Sequence, residues 1–320
     1  MLPAPLPSIV AVVLNWCAEQ DSVRAVDSLL AQGTPGLTVL IVDNASPDGS
    51  GDRLAARFPH LPFLQTGANL GYAGGNQRAI EWALARGADA ILLVNDDAEL
   101  RPGCLSALRD ALDADPKLGA CAPTVVHGPP HDDRIWWGGG RFVPHKACGV
   151  HHHMGEPLHS IVDPTGQHPS AVPASALNGC VLLLRAAALR DVGGLQEAFF
   201  CYVEDTELSL RLTAGGWHTA WIPHAVAVHH LRFPEPPPSP WAITQRDRNR
   251  RLLAKLHLGA RDARRFALWF VTTRLLLAAR YLALGDRQRS AAVWRGMTAT
   301  LPTPIPTRTA PDPRQSLVRP

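Results

Sequence analysis

Short uninterrupted apolar runs alternate with amphipathic segments over the first hundred residues of the chain. Ile9–Leu14 is typical of a strand covered on both faces, Leu37–Val42 predicts a second buried strand, and Leu61–Gln65 and Ala90–Val94 predict a third and a fourth strand. Two intervening segments, Ser22–Gln32 and Tyr72–Arg86, repeat their apolar residues at helical spacing. Strands that alternate with helices predict an α/β fold, in which a mostly parallel central sheet is flanked by helices.

The pattern weakens after residue 101. Leu177–Leu184 predicts another strand and Glu204–Ala214 a short helix. The proline-rich run Pro234–Pro240 predicts an extended linker, and Ile243–Leu258 and Ala263–Leu284 have helical spacing. We therefore divide the chain into an α/β half at residues 1–101, a second half at 102–232, a basic C-terminal helical extension at 241–299 and a proline-rich tail at 300–320, which we expect to be disordered.

The net charge is small, but its distribution is uneven. The 320 residues sum to a formal charge of +3, whereas residues 245–295 hold thirteen basic and three acidic side chains. Such a segment predicts a basic surface for an anionic partner, either lipid headgroups or nucleic acid. Because the chain has no nucleic-acid recognition motif and no interleaved base-stacking aromatic residues, we predict no nucleic-acid partner.

The cysteines and the apolar segments bear on location. The six cysteines form no C-x-x-C pair, which favours free thiols in a reducing cytoplasm over a disulfide framework. The N-terminus lacks the basic region of a signal peptide. In the most apolar segment, residues 266–284, Arg274 and Arg280 interrupt the run, so no spanning helix is expected. Apolar and cationic residues together fit either a helix at the inner face of the membrane or one packed on the protein.

Polar clusters follow three of the predicted strands. They are Asn15, Asp43-Asn44 and Asn95-Asp96-Asp97. The carboxyl ends of parallel strands meet at one edge of a sheet, where ligands of such folds bind. Acidic side chains there can hold Mg²⁺ or Mn²⁺ and leave positions free for phosphate. Taken singly, however, each cluster is explained at least as well as a polar turn or a helix cap.

Three further segments carry candidate chemistry. The glycine-rich segment Asn69–Asn76 lets a ligand approach the backbone, although it has neither the dinucleotide-binding nor the P-loop spacing. Glu204-Asp205 follows an aromatic run, where partial burial would make a carboxylate a better base. His229 follows an apolar strand and could complete a metal site. The structural explanations are a glycine turn, favourable helix-dipole placement of acids and a structural histidine.

In combination, seven ordered motifs resemble the inverting glycosyltransferase family with the GT-A fold (family 2 type), in particular its bacterial rhamnosyltransferase-like members. The motifs are VVLNW (12–16), VDNAS (42–46), NLGYAGGNQ (69–77), LLVNDDAEL (92–100), LNGCVLLLRAAALRDVGG (177–194), FFCYVEDTELSLRLTAGG (199–216) and IPHAVAVHH (222–230). The resemblance continues weakly into RDRNRRLL (246–253).

The resemblance implies a role for each cluster. Asp43 would contact the base of a uridine or thymidine diphospho-sugar. The other residues that would hold this donor are Asn15, Asn44, Asn69, Gly71, Asn76 and Asp96. Residues 1–101 would then form the nucleotide-sugar-binding half, and residues 102–232 would hold the acceptor and the catalytic groups.

The resemblance also implies the reacting groups. Asp97 would be the main ligand of Mg²⁺ or Mn²⁺, with Asn95 and His229 beside it. Asp205 would be the catalytic base, with Glu204 as the next candidate. Because Asn95 stands where stronger D-x-D variants have a carboxylate, we expect a modest metal affinity. The chain has no Gln-x-x-Arg-Trp motif of processive synthases, which favours single transfers.

The expected reaction is the inverting transfer of one sugar from a dTDP- or UDP-sugar, with dTDP-rhamnose as one candidate, to a glycan or lipid-linked acceptor in cell-surface polysaccharide synthesis. A non-catalytic nucleotide-sugar-binding module with the same fold is the alternative. A sugar nucleotidyltransferase would need a glycine- and arginine-rich phosphate loop after the first strand, where this chain has NWCAEQ.

Overall fold

The computed structural model describes residues 8–161, 170–231 and 234–304. Within these ranges the strands are β1 (Ile9–Asn15), β2 (Leu37–Asp43), β3 (Phe63–Gln65), β4 (Ala90–Asn95), β5 (Ala98–Leu100), β6 (Leu118–His127), β7 (Ile135–Trp137), β8 (Gly140–Val143), β9 (Cys148–His151), β10 (Val172–Pro173), β11 (Val181–Arg185) and β12 (His218–His229). The α-helices are α1 (Glu19–Leu30), α2 (Ser50–Arg57), α3 (Gly71–Ala85), α4 (Cys104–Ala114), α5 (Ala186–Val192), α6 (Glu204–Ala214), α7 (Pro240–His257), α8 (Ala260–Ala283) and α9 (Arg287–Thr298). Most of the tail predicted at 300–320 lies outside the described residues.

A central sheet runs through the molecule in the order β10-β12-β6-β11-β4-β1-β2-β3. Its β3-β2-β1-β4 half is parallel throughout, as the alternation of strands and helices predicts. β11 runs antiparallel to both β4 and β6 and joins this half to the parallel pair of β6 and β12. The second half is therefore mixed, since β5, β7 and β10 add further antiparallel pairs. β8 and β9 form a separate hairpin.

The apolar runs form strands because helices pack on them and remove them from water. Every residue of β1 is buried, and in β4 every residue before Asn95 is buried. Leu29 of α1 and Ile80 of α3 belong to the same core. Each large apolar side chain contributes about 1.5–3 kcal/mol when it is fully buried. The strands are thus held firmly, and the polar residues at their carboxyl ends are held in place with them.

The C-terminal helices pack on one another. α7 begins at Pro240, directly after its N-cap Ser239, whose Oγ accepts a hydrogen bond from the Ala242 N–H at 3.1 Å. Proline suits the first position of a helix because that position needs no N–H, so the predicted linker becomes helical at its last residue. Inside this bundle, Arg274 of α8 pairs with the buried Asp247 of α7 at 2.8 Å.

α8 is, among the described helices, the one long and apolar enough to cross a membrane by length and composition. This differs from the expectation of no spanning segment. An 18-residue window of α8 has a mean hydropathy of 1.3, and 17% of that window is buried. Arg274 and Arg280 both belong to this helix, and Arg274 turns inward to Asp247.

Candidate active site

The polar ends of three strands meet at one edge of the sheet. The register places Asn15 of β1 beside Asp43 of β2, and Leu14 beside Asn95 of β4. A cavity of about 540 Å³ opens at this edge. Its lining residues are Leu14, Trp16, Asn44, Asn69, Gly71, Tyr72, Asn95, Asp96, Phe200, Cys201 and Trp241. The cavity thus joins residues predicted to bind the donor with aromatic residues that the prediction did not include.

Asp43 lies at the base of this edge and is 1% exposed. Its Oδ1 accepts hydrogen bonds from Asn15 Nδ2 at 2.7 Å and Ser46 Oγ at 2.6 Å, and its Oδ2 accepts from Gln65 Nε2 at 2.9 Å and Ser46 N at 3.1 Å. Burial alone would raise the pKa of Asp43, but the hydrogen bonds from Ser46, Gln65 and Asn15 outweigh it and lower the pKa. The carboxylate is therefore ionised and internally bonded, and its contact with a nucleobase stays a prediction.

Asn44, Asn69 and Gly71 form one hydrogen-bonded wall of the cavity. Asn44 Nδ2 donates to Asn69 Oδ1 at 3.2 Å and to the Gly71 carbonyl at 3.1 Å. Gly71 has a φ of +69°, and a Cβ there would lie 2.3 Å from the Phe200 carbonyl oxygen. Only glycine allows this approach, which brings the start of α3 against the segment that precedes Glu204.

Asn76 takes no part in the cavity lining. It is 1% exposed on α3, where its Nδ2 donates to the Tyr72 carbonyl at 3.1 Å and its Oδ1 accepts no hydrogen bond from the described residues. Of the residues predicted to hold the donor, Asn15, Asp43 and Asn76 thus lie behind the cavity wall. Asn15 supports Asp43 from within, because its Nδ2 also donates to Ser46 and Ser50.

Asp97 and His229 form the candidate metal centre. The Nε2 of His229, at the end of β12, lies 3.0 Å from Asp97 Oδ1. Burial would lower the pKa of His229, but Cys180 and Asp97 raise it well above its ordinary value. Burial likewise opposes the ionisation of Asp97, whose pKa is nevertheless lowered by His229. The two groups form an ion pair in this structure.

The neighbouring groups supply oxygen atoms. Asn95 Oδ1 is buried and accepts no hydrogen bond from the described residues. Burial, reinforced by the charges of Asp97 and Asp21, raises the pKa of Asp96 to about 7. Within the described ranges, no three His, Cys, Asp or Glu side chains cluster as a metal site. The oxygens of Asp97 and Asn95 fit a hard cation that takes its remaining ligands from phosphate and water.

Glu204 and Asp205 begin α6 and differ in environment. Asp205 Oδ2 accepts a hydrogen bond from the Gly179 N–H at 3.0 Å, and its Oδ1 accepts one from the Thr206 N–H at 2.6 Å. Glu204 is 5% exposed, and its Oε2 accepts no hydrogen bond from the described residues. Burial raises the pKa of both groups, and the charge of Asp205 helps to raise that of Glu204 well above its ordinary value. Glu204 therefore keeps its proton, and Asp205 is the carboxyl group that ionises first.

A single turn connects the two chemical centres. Gly179 donates to Asp205, while the carbonyl of the next residue, Cys180, accepts the Asn95 N–H at 2.9 Å. The Gly179 carbonyl in turn accepts the Tyr72 hydroxyl at 2.6 Å, and burial keeps Tyr72 protonated by raising its pKa well above its ordinary value. The structure thus brings the predicted base, the predicted metal ligands and the cavity wall together around residues 179–180.

Two aromatic residues lie near the site: Trp136, which the sequence offers as a residue that could stack on acceptor sugars or simply be buried, and Trp241, which sequence reasoning missed. Trp136 lies between two histidines, with ring centroids 4.7 Å from His229 and 5.0 Å from His151. Trp241, from the start of α7, lines the cavity and contacts the Tyr202 ring at 5.8 Å. The signal for Trp136 was its aromatic character. Trp241 could not be found, because the C-terminal extension was treated as a separate unit.

Two sequence profiles match the chain. The profile of glycosyl transferase family 2 matches residues 8–149. The profile of glycosyl transferase family group 2 matches residues 90–301, which is more than half of the chain. The two matches together include every residue of the site described above.

Two curated relatives are bacterial enzymes whose names contain a polyprenyl carrier. N-acetylglucosaminyl-diphospho-decaprenol L-rhamnosyltransferase of Mycobacterium tuberculosis (strain H37Rv) is 31% identical over 207 residues, which cover 61% of this chain and 66% of the relative. Undecaprenyl-phosphate mannosyltransferase of Micrococcus luteus is 31% identical over 140 residues, which cover 42% of this chain and 58% of the relative. The chain spans just under two thirds of the first relative and less of the second.

Solved glycosyltransferases share the architecture. A mannosyltransferase from Pyrobaculum calidifontis, in complex with GDP-Man and Mn²⁺, has a TM-score of 0.54 at 16% identity and covers 92% of this chain and 88% of its own. Residues 1–349 of TarS from S. aureus, in complex with UDP, have a TM-score of 0.54 at 14% identity and cover 81% and 68%. These likenesses confirm the predicted fold. The chain therefore belongs to the glycosyl transferase family 2 group and has the GT-A fold.

Proposed function

We propose that this protein transfers one sugar, with inversion, from a nucleotide diphospho-sugar to a glycan or lipid-linked acceptor in cell-surface polysaccharide synthesis. The donor is a dTDP- or UDP-sugar, with dTDP-rhamnose as the first candidate. The observation that carries the proposal is the Gly179–Cys180 turn, which connects the carboxylate of Asp205 to the strand that ends in Asn95. The named activity of the mycobacterial relative supports the choice of sugar and acceptor.

The chemistry follows from the two carboxyl groups. An acceptor hydroxyl is a poor nucleophile until a base takes its proton. Asp205 is half-buried and accepts hydrogen bonds from two backbone N–H groups, whereas burial raises the pKa of Glu204 well above its ordinary value. One base and an activated donor are sufficient for direct displacement at the anomeric carbon, which inverts its configuration.

A divalent cation, Mg²⁺ or Mn²⁺, would be held by Asp97 with Asn95 and His229 beside it. When bound, the cation neutralises charge on the diphosphate leaving group. The Nε2 of His229 contacts Asp97 Oδ1 in the structure, so a metal bound through this nitrogen would replace that contact. Asn95, where stronger sites have a carboxylate, supports a modest affinity.

The outer face of α8 fits a peripheral contact with the inner face of a membrane, where lipid-linked acceptors lie. Leu268 is 74% and Leu276 67% exposed on this face. Arg261, Arg264 and Arg265 are exposed at the start of the same helix. Apolar residues next to arginines suit a helix that lies among anionic headgroups. A spanning α8 would have to pull Arg274 away from Asp247.

The proposal is tested by calorimetry and by a transfer assay. We expect UDP or dTDP to bind wild-type protein in the presence of Mn²⁺, and to bind Asp97→Ala, or wild type in chelator, more weakly. A panel of dTDP- and UDP-sugars with a lipid-linked glycan acceptor should then identify the donor that is consumed. Binding without hydrolysis or transfer of any donor would favour the alternative, a non-catalytic nucleotide-sugar-binding module.

A further inference from the structure

The segment that leads into Glu204 and Asp205 has a strained backbone. Phe200, Tyr202 and Val203 have φ values of +64°, +72° and +78°. Such angles are uncommon for residues other than glycine and are least favourable for a β-branched residue such as Val203. Each costs of the order of 1–3 kcal/mol and persists only where the surroundings hold it. We call residues 199–203 the catalytic-loop segment.

One side chain of α7 contacts most of this segment. Asn249 is 0% exposed, and its Nδ2 lies 2.8, 2.8 and 2.7 Å from the carbonyl oxygens of Phe199, Cys201 and Tyr202, which share its two N–H donors. These carbonyls belong to three of the five residues in the segment. Replacing the amide would leave the partly buried carbonyls of Cys201 and Tyr202 without this donor, which is costly.

A second contact fixes the orientation of this amide. Arg248 donates to Asn249 Oδ1 through Nε at 2.9 Å and Nη2 at 2.8 Å. The oxygen of Asn249 therefore faces a guanidinium group and its NH₂ group faces the carbonyls, so the amide has one sensible orientation. Arg248 Nη2 also donates to the Phe199 carbonyl at 2.9 Å. Arg248 and Asn249 belong to α7, but their side chains bond to the backbone of the catalytic-loop segment.

We propose that Asn249 is a positioning residue, which holds the catalytic-loop segment in its left-handed conformation and thereby fixes where Asp205 stands. Two contacts show what the segment controls. The Phe200 carbonyl accepts the Ala73 N–H at 2.9 Å beside Gly71, and Asp205 bonds to Gly179. Asn249 thus acts from the C-terminal extension on the group that takes the acceptor proton. The inference rests on the proposed function of Asp205.

Steady-state kinetics of Asn249→Ala tests the proposal. Asp205 acts on the acceptor only in the transition state, so we expect kcat to fall by about a hundredfold, the scale on which a displaced catalytic group acts. Phe200 and Cys201 of the segment also line the cavity, so the KM for the donor should rise, but by a smaller factor than kcat falls, because the wall at Asn44 and Asn69 does not contact Asn249. Ser290→Ala is the matched control. It removes a buried hydrogen bond, from Ser290 Oγ to the Ala278 carbonyl at 3.0 Å, away from the segment, and should keep kcat.

A suppressor separates positioning from loss of stability. Glycine adopts a φ near that of Val203 without strain. Val203→Gly therefore reduces the backbone strain that the hydrogen bonds of Asn249 have to offset. We expect Asn249→Ala/Val203→Gly to recover part of the lost kcat. No recovery, or a fall in kcat that only parallels the fall in Tm and is matched by Ser290→Ala, would overturn the proposal.

Hydrogen exchange gives a readout that does not need activity. Amides of residues 199–207 should exchange faster in Asn249→Ala than in wild type, while Ser290→Ala should leave them unchanged. Unchanged exchange in Asn249→Ala overturns the inference whatever the enzyme does. If wild type neither transfers nor hydrolyses any donor, the proposed function fails, and faster exchange would still show that Asn249 holds the segment.

Discussion

At the scale of single residues, the carboxyl groups of Glu204 and Asp205 differ in their surroundings. The two side chains are neighbours, yet backbone N–H groups bond to Asp205 while the Oε2 of Glu204 accepts none. Hydrogen bonds to a carboxylate favour its ionised form, and burial without them favours the neutral form. The sequence predicts both as candidates, and their environments now give each a separate expected behaviour.

The first prediction compares isosteric amides at the two positions. Asp205→Asn removes the base, so kcat should fall at least about a hundredfold, the usual scale for a lost general base. Glu204→Gln keeps a neutral polar group of the same shape and should retain most of kcat. Both should bind the donor like wild type in calorimetry. Near-wild-type turnover of Asp205→Asn, with loss in Glu204→Gln, would transfer the role of base to Glu204.

The second prediction concerns stability and pH. Burial raises the pKa of Glu204 in the folded protein, so the folded state holds a proton that the unfolded state releases. The contribution of Glu204 to the free energy of unfolding is therefore fully present below the pKa of the unfolded state, and it is lost as pH rises towards the pKa of the folded state. Relative to wild type, Glu204→Gln should gain stability above about pH 5, by up to about 1.4 kcal/mol per pH unit. Urea denaturation between about pH 5 and pH 8 measures this.

Glu207 on the same helix supplies the control for that experiment. Burial would raise its pKa, but hydrogen bonds from His257 and Arg211 outweigh burial and lower it. The stabilisation is present above the unfolded pKa and lost as pH falls through the folded one. Glu207→Gln should therefore be destabilised at neutral pH and less so in acid. The same pH trend in both variants would contradict our assignment of the proton to Glu204.

At the scale of elements, the close contact between α3 and the catalytic-loop segment can be tested with a pair of glycines. Gly71 and Gly67 both have positive φ, of +69° and +75°, but only a Cβ on Gly71 would meet another atom, the Phe200 carbonyl oxygen at 2.3 Å. Both alanine variants should lose stability of the order of 1 kcal/mol from backbone strain. Gly71→Ala should in addition bind UDP or dTDP more weakly. Equal donor affinity in the two variants would show that this contact does not shape the cavity.

Sequence patterns predict elements well where the local signal and the tertiary contacts agree. The runs that become β1, β2 and β4 are continuous and apolar because both faces of these strands are buried. β11 begins four residues later than predicted, since residues 177–180 form the turn whose Gly179 N–H bonds to Asp205. Periodicity cannot separate a buried turn from a buried strand.

The sequence indicates the motifs of the candidate site, but it does not indicate the residues that hold those motifs in place. Asp97 and His229 stand out because they follow apolar strands, and Asp205 stands out because it follows an aromatic run at the start of a predicted helix. Asn249 lies within a run of arginines that indicates a solvated surface. Its burial depends on how α7 packs against the catalytic-loop segment, and that long-range contact leaves no periodic signal in the sequence.

At the scale of the whole molecule, the distribution of charge suggests how the enzyme meets its acceptor. The basic C-terminal segment has two kinds of arginine. Arg248, Arg250 and Arg274 turn inward and bond to backbone carbonyls or to Asp247, so they support the fold. Arg261, Arg264, Arg265 and Arg280 are exposed on α8. Exposed charges of this second kind can attract anionic headgroups, and these four arginines share a helix with Leu268 and Leu276.

Sedimentation with lipid vesicles tests this arrangement. We expect wild-type protein to sediment with vesicles that contain anionic phospholipid and not with neutral vesicles, since each basic residue near the surface adds roughly 1 kcal/mol. High salt should release it, because exposed charges are screened within about 10 Å at about 0.1 M salt. Leu268→Ser/Leu276→Ser should weaken the binding at equal net charge, while Leu30→Ser, at an exposed leucine of α1, should not. A protein that stays in solution with anionic vesicles at low salt would place α8 against a protein partner or in solvent, and its acceptor would then have to reach the site without a membrane-bound enzyme.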